Sequence, residues 1–244
     1  PTGRSTGPSP PGTGSGSRRD PATASNDERT DVFKFDQWWL PDGEEHLTKW
    51  MTDVNRVVDG RKTYQRHKYD RLLEACRDRK VCVDVGAHVG LMSYWMAKDF
   101  EAVHAFEPVA AHRECFVKNV EAQNVFLHDC ALGEKEGSVR IQTGKNSSGD
   151  SWIAGDGDIP LRRLDDFALH DVSCIKIDCE GSELFVLRGA EATVKRCRPA
   201  IMVEQKPGHA QRFGVGETDA VPLLKSWGAT LVREISGDFI FAFK

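Results

Sequence analysis

The stretch that decides the fold is Val81-Cys-Val-Asp-Val-Gly-Ala-His-Val-Gly90. Its alternating valines are typical of a short buried strand, and the strand is followed directly by Gly86 and Gly90. A helical pattern then runs from Leu91 to Lys98. A strand that ends in a glycine turn and continues as a helix gathers backbone N–H groups, a positive helix end and the Asp84 carboxylate in one small volume. This stretch therefore predicts a βα unit that suits a nucleotide-like ligand, and a tight turn without a ligand is the alternative.

An acidic residue after the next predicted strand favours the ligand site. The apolar run from Ala102 to Phe106 predicts a second strand, and Glu107 follows it directly. In nucleotide-binding α/β sheets, an acidic residue after the second strand reaches the hydroxyls of a ribose. Glu107 therefore points to a ligand that contains a ribose.

Outward from this unit, the chain alternates strand and helix patterns. Further strands are predicted over 125–129, 174–178, 200–204, 230–234 and 238–243. Helices are predicted over 91–98, 109–122, 182–195 and 219–227. Repeated βα units predict a Rossmann-like, doubly wound α/β sheet, and the short turn at 235–237 predicts a C-terminal hairpin with one antiparallel strand. An extra strand is expected over 138–142, and an exposed loop over 143–158.

Three regions are predicted along the chain. Residues 1–30 contain no aromatic residue and no Val, Ile, Leu or Met, so they cannot bury enough apolar surface to offset the entropy of ordering. We predict that they are disordered. Residues 31–80 are predicted to form a short helical N-terminal cap, with an aromatic segment ahead of amphipathic helices over 44–58 and 64–79. Residues 81–244 are predicted to form the α/β domain.

Composition narrows the class of protein. The formal net charge of −4 gives no reason to expect a polyanionic partner, so nucleic acid is disfavoured. The seven cysteines include no Cys-x-x-Cys pair and fall mostly in apolar segments, which favours buried thiols in a reducing compartment. No apolar run approaches the roughly 20 residues of a membrane-spanning helix. We expect a cytoplasmic protein without a membrane contact, although the chain starts at Pro1 and an upstream targeting segment could have been removed.

The glycine turn also discriminates between ligands. The dinucleotide pattern G-x-G-x-x-G would place glycine at positions 88 and 91, where this chain has His88 and Leu91. A phosphate-binding P-loop would end in Gly-Lys-Ser or Gly-Lys-Thr, and neither occurs. An acid before the glycine turn, a second acid after the next strand and a closing β-hairpin are instead typical of S-adenosylmethionine-dependent methyltransferases.

A series of motifs resembles the FkbM family of methyltransferases. The motifs are Asp84-Val-Gly-Ala-His-Val-Gly90, Ser93, Ala105-Phe-Glu-Pro108, Asn119, Asn124, Ala131-Leu132, Ile175-Lys-Ile-Asp-Cys-Glu-Gly181 with Glu183, Val186-Leu-Arg-Gly-Ala190 and Val203-Glu204. The resemblance covers about residues 81–244, and its specificity lies in the order and spacing of the series. The chain departs from the family at His88, where asparagine is usual and where contacts to the methionine end of the cofactor could differ. It also departs at Cys179, where valine is usual, and this second change concerns packing only.

The resemblance implies a class I methyltransferase domain that binds S-adenosylmethionine. Asp84 is expected to fix the ammonium group of the cofactor, directly or through water, and Glu107 to bind both ribose hydroxyls. The alternatives are a turn-capping role for Asp84 and a helix-start role for Glu107. Asp129 and Ala131 are expected to line the adenine. The full set of candidate cofactor-binding residues is Asp84, Gly86, Ala87, His88, Gly90, Ser93, Glu107, Pro108, Asp129 and Ala131.

Candidate catalytic residues follow a later strand. Methyl transfer is an in-line displacement, so the protein has to align the acceptor and remove a proton as its oxygen attacks. Asp178 is the first candidate for the base or for orienting the acceptor, and His209 is the second because its usual pKa lies near neutrality. Glu180, Glu204 and Lys176 would support Asp178, with helix capping or charge pairing as the alternative. No metal site is predicted; these carboxylates are ligands that Mg²⁺ accepts, so Mg²⁺ is possible but not favoured.

The resemblance, and no spacing in this chain, implies methyl transfer to a hydroxyl of a sugar, glycan or other small molecule. One rival is an RNA ribose methyltransferase, suggested by Lys176, Asp178, Glu204 and Lys206 and opposed by the acidic net charge. A second rival is a catalytically silent module that binds the cofactor and recruits a partner through its tail. The aromatic N-terminal segment and the loop over 143–158 are expected to shape the acceptor pocket.

Overall fold

The computed structural model describes residues 31–144 and 147–244. The predicted disordered segment, 1–30, lies outside the described residues. The described chain begins with a cap that contains two hairpins and two helices. These are β1 (Val32–Phe35), β2 (Trp38–Pro41), α1 (His46–Val54), β3 (Val57–Val58), β4 (Arg61–Lys62) and α2 (Arg66–Ala75).

Local chemistry explains the limits of the first helix. Oε1 of Glu44 accepts a hydrogen bond from the backbone N of Leu47 at 2.7 Å, which satisfies a free donor at the start of α1. The helix ends at Asn55, which adopts a left-handed conformation with φ of 45°. The cap contains more strand than predicted because the aromatic segment pairs with itself, with Phe35 opposite Trp38. The helix predicted over 44–58 is correspondingly shorter.

The first half of the central sheet follows the prediction closely. It consists of β5 (Val81–Val85), α3 (Ser93–Asp99), β6 (Ala102–Phe106), α4 (Ala110–Asn119) and β7 (Val125–His128). An insertion then adds five short strands, namely β8 (Ala131–Leu132), β9 (Gly137–Val139), β10 (Ile141–Thr143), β11 (Ser151–Ile153) and β12 (Ile159–Arg162). The single strand expected over 138–142 is interrupted at Arg140, whose backbone N donates to Gly155 O at 2.8 Å. The expected loop over 143–158 contains β11, which pairs with β10.

The second half completes the sheet. Its elements are β13 (Val172–Ile177), α5 (Glu183–Arg188), α6 (Glu191–Cys197), β14 (Ala200–Glu204), α7 (Ala220–Ser226), β15 (Thr230–Ile235) and β16 (Asp238–Ala242). The single helix predicted over 182–195 is divided at Gly189. A Cβ at that position would overlap the backbone oxygen of Gly133, so glycine lets this segment approach the insertion.

Strand order confirms the predicted fold class. The central sheet has seven strands in the order β15-β16-β14-β13-β5-β6-β7. Strand β16 runs antiparallel to both of its neighbours, and the other pairs are parallel. The C-terminal hairpin therefore closes a doubly wound sheet, as expected.

The strands bury alternate residues on the two faces of the sheet. Val83 and Val85 pack on one face with Val186 and Leu187 of α5. Cys82 packs on the opposite face with residues of α2 and α3. Because helices cover both faces, only the ends of the strands are open to ligands.

Candidate active site

Four acidic residues meet at one edge of the central sheet. Asp84 lies in β5, Glu107 follows β6, Asp178 follows β13 and Glu204 ends β14. These strands are parallel neighbours, so their carboxyl ends share an edge, which is where open α/β sheets bind ligands. The topology thus collects acids that are far apart in sequence.

The turn after β5 approaches β13 closely. Gly86 adopts φ of 72°, and a Cβ there would overlap the backbone oxygen of Asp178, so glycine is required. The Lys176 ammonium donates to the backbone oxygen of Gly86 at 2.7 Å and lies 3.1 Å from Oδ1 of Asp84. Lys176 therefore ties the turn to the strand that precedes Asp178.

Asp84 lies behind this turn. It is 0% exposed, and its Oδ2 accepts a hydrogen bond from Ser93 Oγ at 2.6 Å. Within the described part of the chain, it lines neither of the two cavities at this edge. Asp84 thus positions Ser93 and Lys176, and its contact with a cofactor ammonium group stays a prediction.

Glu107 is held in one orientation by backbone donors. It is 4% exposed, and it accepts hydrogen bonds from the backbone N of His88 at 2.8 Å and of Val109 at 2.8 Å. Nδ1 of His112 lies 3.1 Å from its Oε1. This buried carboxylate links the turn after β5 to the start of α4 and faces a narrow cavity.

The narrow cavity has a volume of about 70 Å³. Its apolar wall includes Phe106, Pro108 and Ala131, and the insertion covers it with Ser148. Ser148 Oγ lies 2.7 Å from Nε2 of His88. Ligand pockets usually have volumes on the order of 300–1,000 Å³, so this cavity is smaller than a typical ligand site. A carboxylate that accepts hydrogen bonds beside apolar walls fits the hydroxyls of a ribose and the face of an adenine.

A wider cavity of about 450 Å³ adjoins the narrow one. The two cavities share the wall residues Gly86, His88, Gly149, Asp178 and Glu180. The cap supplies the opposite side of the wider cavity with His46, Leu47, Trp50, Tyr64, Gln65 and Lys68. Two neighbouring compartments therefore meet at Asp178.

Three carboxylates converge at this meeting point. One oxygen from each of Asp178, Glu180 and Glu204 lies within 4.8 Å of the others. Nζ of Lys206 lies 2.9 Å from Glu204 and 3.5 Å from Glu180, and Nδ1 of His209 lies 2.6 Å from Oε2 of Glu180. The structure thus brings together the residues that the sequence nominated for catalysis, with Lys206 as their cationic partner.

The backbone around Glu180 is specialised. Glu180 itself adopts φ of 53°, and the following Gly181 has φ of 111°. A Cβ on Gly181 would overlap the backbone of His209, so glycine lets this loop approach. The left-handed turn directs the buried carboxylate of Glu180 against the imidazole of His209. Backbone conformations of this strained kind concentrate at functional sites.

The acids of the cluster differ in protonation. Burial, and then the charge of Asp178, raise the pKa of Glu204 to about 10 and that of Glu180 to about 7. Burial acts in the same direction on Asp178, but Lys176, Lys206 and a hydrogen bond with Glu204 outweigh it and hold its pKa below the usual range. Near neutral pH, Glu204 is therefore protonated and Asp178 is ionised. Burial lowers the pKa of His209, so its ring is neutral.

Replacing Glu204 with glutamine should change how stability depends on pH. The folded protein holds a proton on Glu204 that the unfolded chain releases near pH 4.5, so this residue lowers stability as pH rises from about 5 towards 10. Glutamine removes that loss. A difference of 1 kcal/mol in stability corresponds to roughly 2–4 °C in melting temperature for a chain of this size. Between pH 5 and pH 9, the melting temperature of the variant should therefore rise by at least about 3 °C relative to that of the wild type. Parallel melting curves across this range would contradict the assignment, and Glu136→Gln in an exposed turn serves as the control.

Some predicted cofactor residues lie away from the cavities. Gly90 packs against the side chains of α4 and the segment after it, and Ser93 bonds to Asp84. Asp129 is exposed after β7, and the neighbouring Cys130 and Ala131 line the narrow cavity instead. Among the remaining candidates, Ala87 lines the wider cavity and Pro108 the narrow one.

Several residues of the site are not among the candidates drawn from the sequence. His112 contacts Glu107, and Trp50 and Tyr64 of the cap line the wider cavity. The aromatic residues of the cap were a signal for them, but packing against the sheet explains such residues equally well. Their spatial relation to Asp178 depends on tertiary structure that periodicity does not encode.

Comparisons with known proteins identify the family. The model of the Methyltransferase FkbM domain matches residues 84–231. A curated relative, Methyltransferase 1 of Beauveria bassiana (strain ARSEF 2860), is 26% identical over 148 residues, which are 47% of this chain and 59% of the relative. The match thus spans less than two thirds of that protein.

Two of the matching solved structures are named as methyltransferases, both with TM-scores below 0.5. Methyltransferase FkbM from Methylobacillus flagellatus KT has a TM-score of 0.45 at 22% identity, over 68% of this chain and 44% of that one. Precorrin-6y C5,15-methyltransferase from Geobacter metallireducens GS-15 has a TM-score of 0.47 at 16% identity, over 79% of this chain and 95% of that one. Across the described ranges, every helix is too short or too polar to cross a membrane. On the evidence of the family match over residues 84–231, the chain belongs to the FkbM methyltransferase family.

Proposed function

We propose that this protein is an S-adenosylmethionine-dependent O-methyltransferase that acts on a hydroxyl of a sugar, glycan or other small molecule. The observation that carries the proposal is the pair of adjoining cavities that share Asp178. Family membership implies S-adenosylmethionine as the methyl donor. The narrow cavity beside Glu107 suits the donor, and the wider cavity suits the acceptor.

The residues around the narrow cavity fit the donor. Glu107 would accept hydrogen bonds from the ribose hydroxyls, since it keeps acceptor capacity beyond its two backbone donors. Ala131 and Pro108 would contact the adenine. When bound, S-adenosylmethionine supplies a methyl group and leaves as S-adenosylhomocysteine, while the hydroxyl proton of the acceptor has to be taken up elsewhere.

Asp178 is the group placed to take that proton. It is ionised, it lies on the wall between the cavities, and 30% of its side chain is exposed. Glu204 stays protonated and hydrogen-bonds to it, while Lys176 at 3.9 Å and Lys206 stabilise its charge. Asp178 would thus orient the hydroxyl and accept its proton as the oxygen attacks.

The rival functions have less support. An RNA substrate requires unpaired basic groups for its phosphates, whereas Lys176 and Lys206 lie against carboxylates. A silent cofactor-binding module would not require the ionised Asp178 at the junction. Mg²⁺ bound by the three acids is a further possibility, opposed by the Lys206 ammonium that already lies 2.9 Å from Glu204.

The direct test has two stages. Calorimetry with S-adenosylmethionine and S-adenosylhomocysteine should detect binding, and the absence of binding at millimolar concentration would reject the donor. A screen with radiolabelled methyl donor should then incorporate label into hydroxyl-bearing acceptors, and not into RNA, both with Mg²⁺ and with a chelator. Incorporation into RNA alone, or dependence on Mg²⁺, would replace this proposal with the corresponding rival.

A further inference from the structure

We propose that residues 46–68 of the cap form the acceptor-binding wall, and that this wall selects a neutral, hydroxyl-bearing ring and excludes anionic acceptors. The inference rests on the proposed function and specifies the chemistry of its acceptor. The family match begins at residue 84. Acceptor choice would therefore be encoded by a segment outside the matched domain.

Aromatic side chains make up the surface of this wall. Trp50 projects from α1 and meets the Tyr64 ring with centroids 4.9 Å apart and planes at 67°. The rings of His46 and Tyr64 have centroids 6.3 Å apart. Trp50 and Tyr64 are only partly buried, and all three rings line the wider cavity. Partly exposed aromatic faces of this kind offer apolar contact area to a ring ligand.

Tyr64 connects the wall to the acid cluster. Burial, and then the negative charge of Asp178, raise the pKa of the Tyr64 hydroxyl. The Tyr64 hydroxyl therefore interacts electrostatically with the acid cluster. Gln65 Nε2 donates to the Tyr64 oxygen at 2.9 Å, which leaves the phenolic O–H free to donate to an acceptor oxygen. A ring that stacks on Trp50 would thus meet a donor at Tyr64 and an acceptor at Asp178.

The charges of the cavity disfavour anions. Its three lysines are each opposed by a carboxylate: Lys176 by Asp84, Lys206 by Glu180, and Lys68 by Asp238. The Lys68 and Asp238 side chains are 6% and 4% exposed, so this contact is fully internal. Asp150, Asp178 and Glu180 also line the cavity. A phosphate or carboxylate on the acceptor would therefore meet an excess of negative charge in a partly dehydrated site.

The size of the cavity agrees with a ring ligand. Its volume of about 450 Å³ lies within the usual range for small-molecule sites. The hydroxyl groups of a ring ligand would lie against the acceptors and donors on the sheet side of the cavity. The apolar face of the ring would lie against the aromatic side chains of the cap. A pyranoside has this combination of an apolar face and a polar edge.

The test uses neutral methyl glycosides and the corresponding sugar phosphates as probes, with the full chain loaded with S-adenosylhomocysteine. Saturation-transfer NMR should show glycoside binding that weakens at least 10-fold in Trp50→Ala and about 3- to 10-fold in Tyr64→Phe. Affinity for S-adenosylhomocysteine, measured by calorimetry, should stay within twofold. The matched control is Trp39→Ala, a cap tryptophan outside the cavity lining, which should leave glycoside binding unchanged.

Each outcome separates the inference from the function on which it rests. Loss of S-adenosylhomocysteine binding in the wild type would reject the proposed function itself. With that binding intact, preference for sugar phosphates, no binding of any neutral glycoside, or equal glycoside affinity in wild type and Trp50→Ala would overturn the acceptor wall. Where an acceptor turns over, Trp50→Ala should raise KM and leave kcat within about threefold.

Discussion

Replacement of Asp178 by asparagine should reduce methyl transfer by about 10²- to 10⁴-fold, the range for loss of a positioned acid or base. Asparagine keeps the shape of the side chain and an oxygen that can accept the hydrogen bond from Glu204, but it cannot take a proton. Affinity for S-adenosylhomocysteine should therefore change by less than about threefold. The measurement is a single-turnover rate with labelled methyl donor at saturating acceptor.

Two comparisons make this result interpretable. Glu136→Gln, an exposed acid in the turn before β9, should retain wild-type rates and reports any general effect of removing a charge. The rate of the wild type should fall under acid conditions as Asp178 is protonated, at a pH below the usual range of a carboxyl group. An Asp178→Asn variant that keeps a tenth or more of the wild-type rate would transfer the role of base to His209.

Glu107→Gln should weaken binding of the methyl donor by about 10- to 100-fold. The carboxylate holds two backbone donors and would also accept from the ribose, and hydrogen bonds to a charged group contribute about 1.5–3 kcal/mol. Glutamine keeps only one acceptor oxygen, so it cannot hold the turn and the ribose together. Calorimetry with S-adenosylhomocysteine measures the change directly.

The matched control for this variant is Glu101→Gln, an exposed residue just before β6, at the opposite end of that strand from Glu107. It should leave affinity unchanged. Thermal unfolding of Glu107→Gln without ligand separates a loss of ligand contact from a loss of fold. Undiminished affinity in a folded Glu107→Gln variant would remove Glu107 from the donor site.

The central sheet was predictable because each strand carries its own signal. Alternating valines mark β5, and the apolar residues Cys174, Ile175 and Ile177 mark β13, which is buried along its whole length. The insertion has no such signal. Strand β11 lies among Gly, Ser and Asp residues, and it exists through pairing with β10 across an intervening loop. Local patterns cannot encode pairings of this kind.

The same distinction applies to the site. Asp84, Glu107, Asp178 and Glu204 each lie near or just after the carboxyl end of a recognisable strand, so a parallel sheet brings them to one edge. The position of Tyr64 opposite Asp178 depends on how the cap folds back over that edge. The separate protonation states of Glu204 and Asp178 depend on burial and on two lysines, which only the folded arrangement supplies.

The backbone of His88 has a consequence for ligand affinity. Its φ of 53° is a conformation that costs a non-glycine residue roughly 1 kcal/mol or more, and its ring contacts Ser148, whose backbone N in turn donates to Glu44 at 2.6 Å. Hydrogen bonds therefore connect the turn, the insertion and the cap. A methyl donor that rearranges the turn would change the free energy of docking of the insertion and the cap. By linkage, docking of these segments would change the free energy of donor binding by the same amount. We therefore expect donor affinity to respond to a change at Glu44, a residue that lines neither cavity of the site.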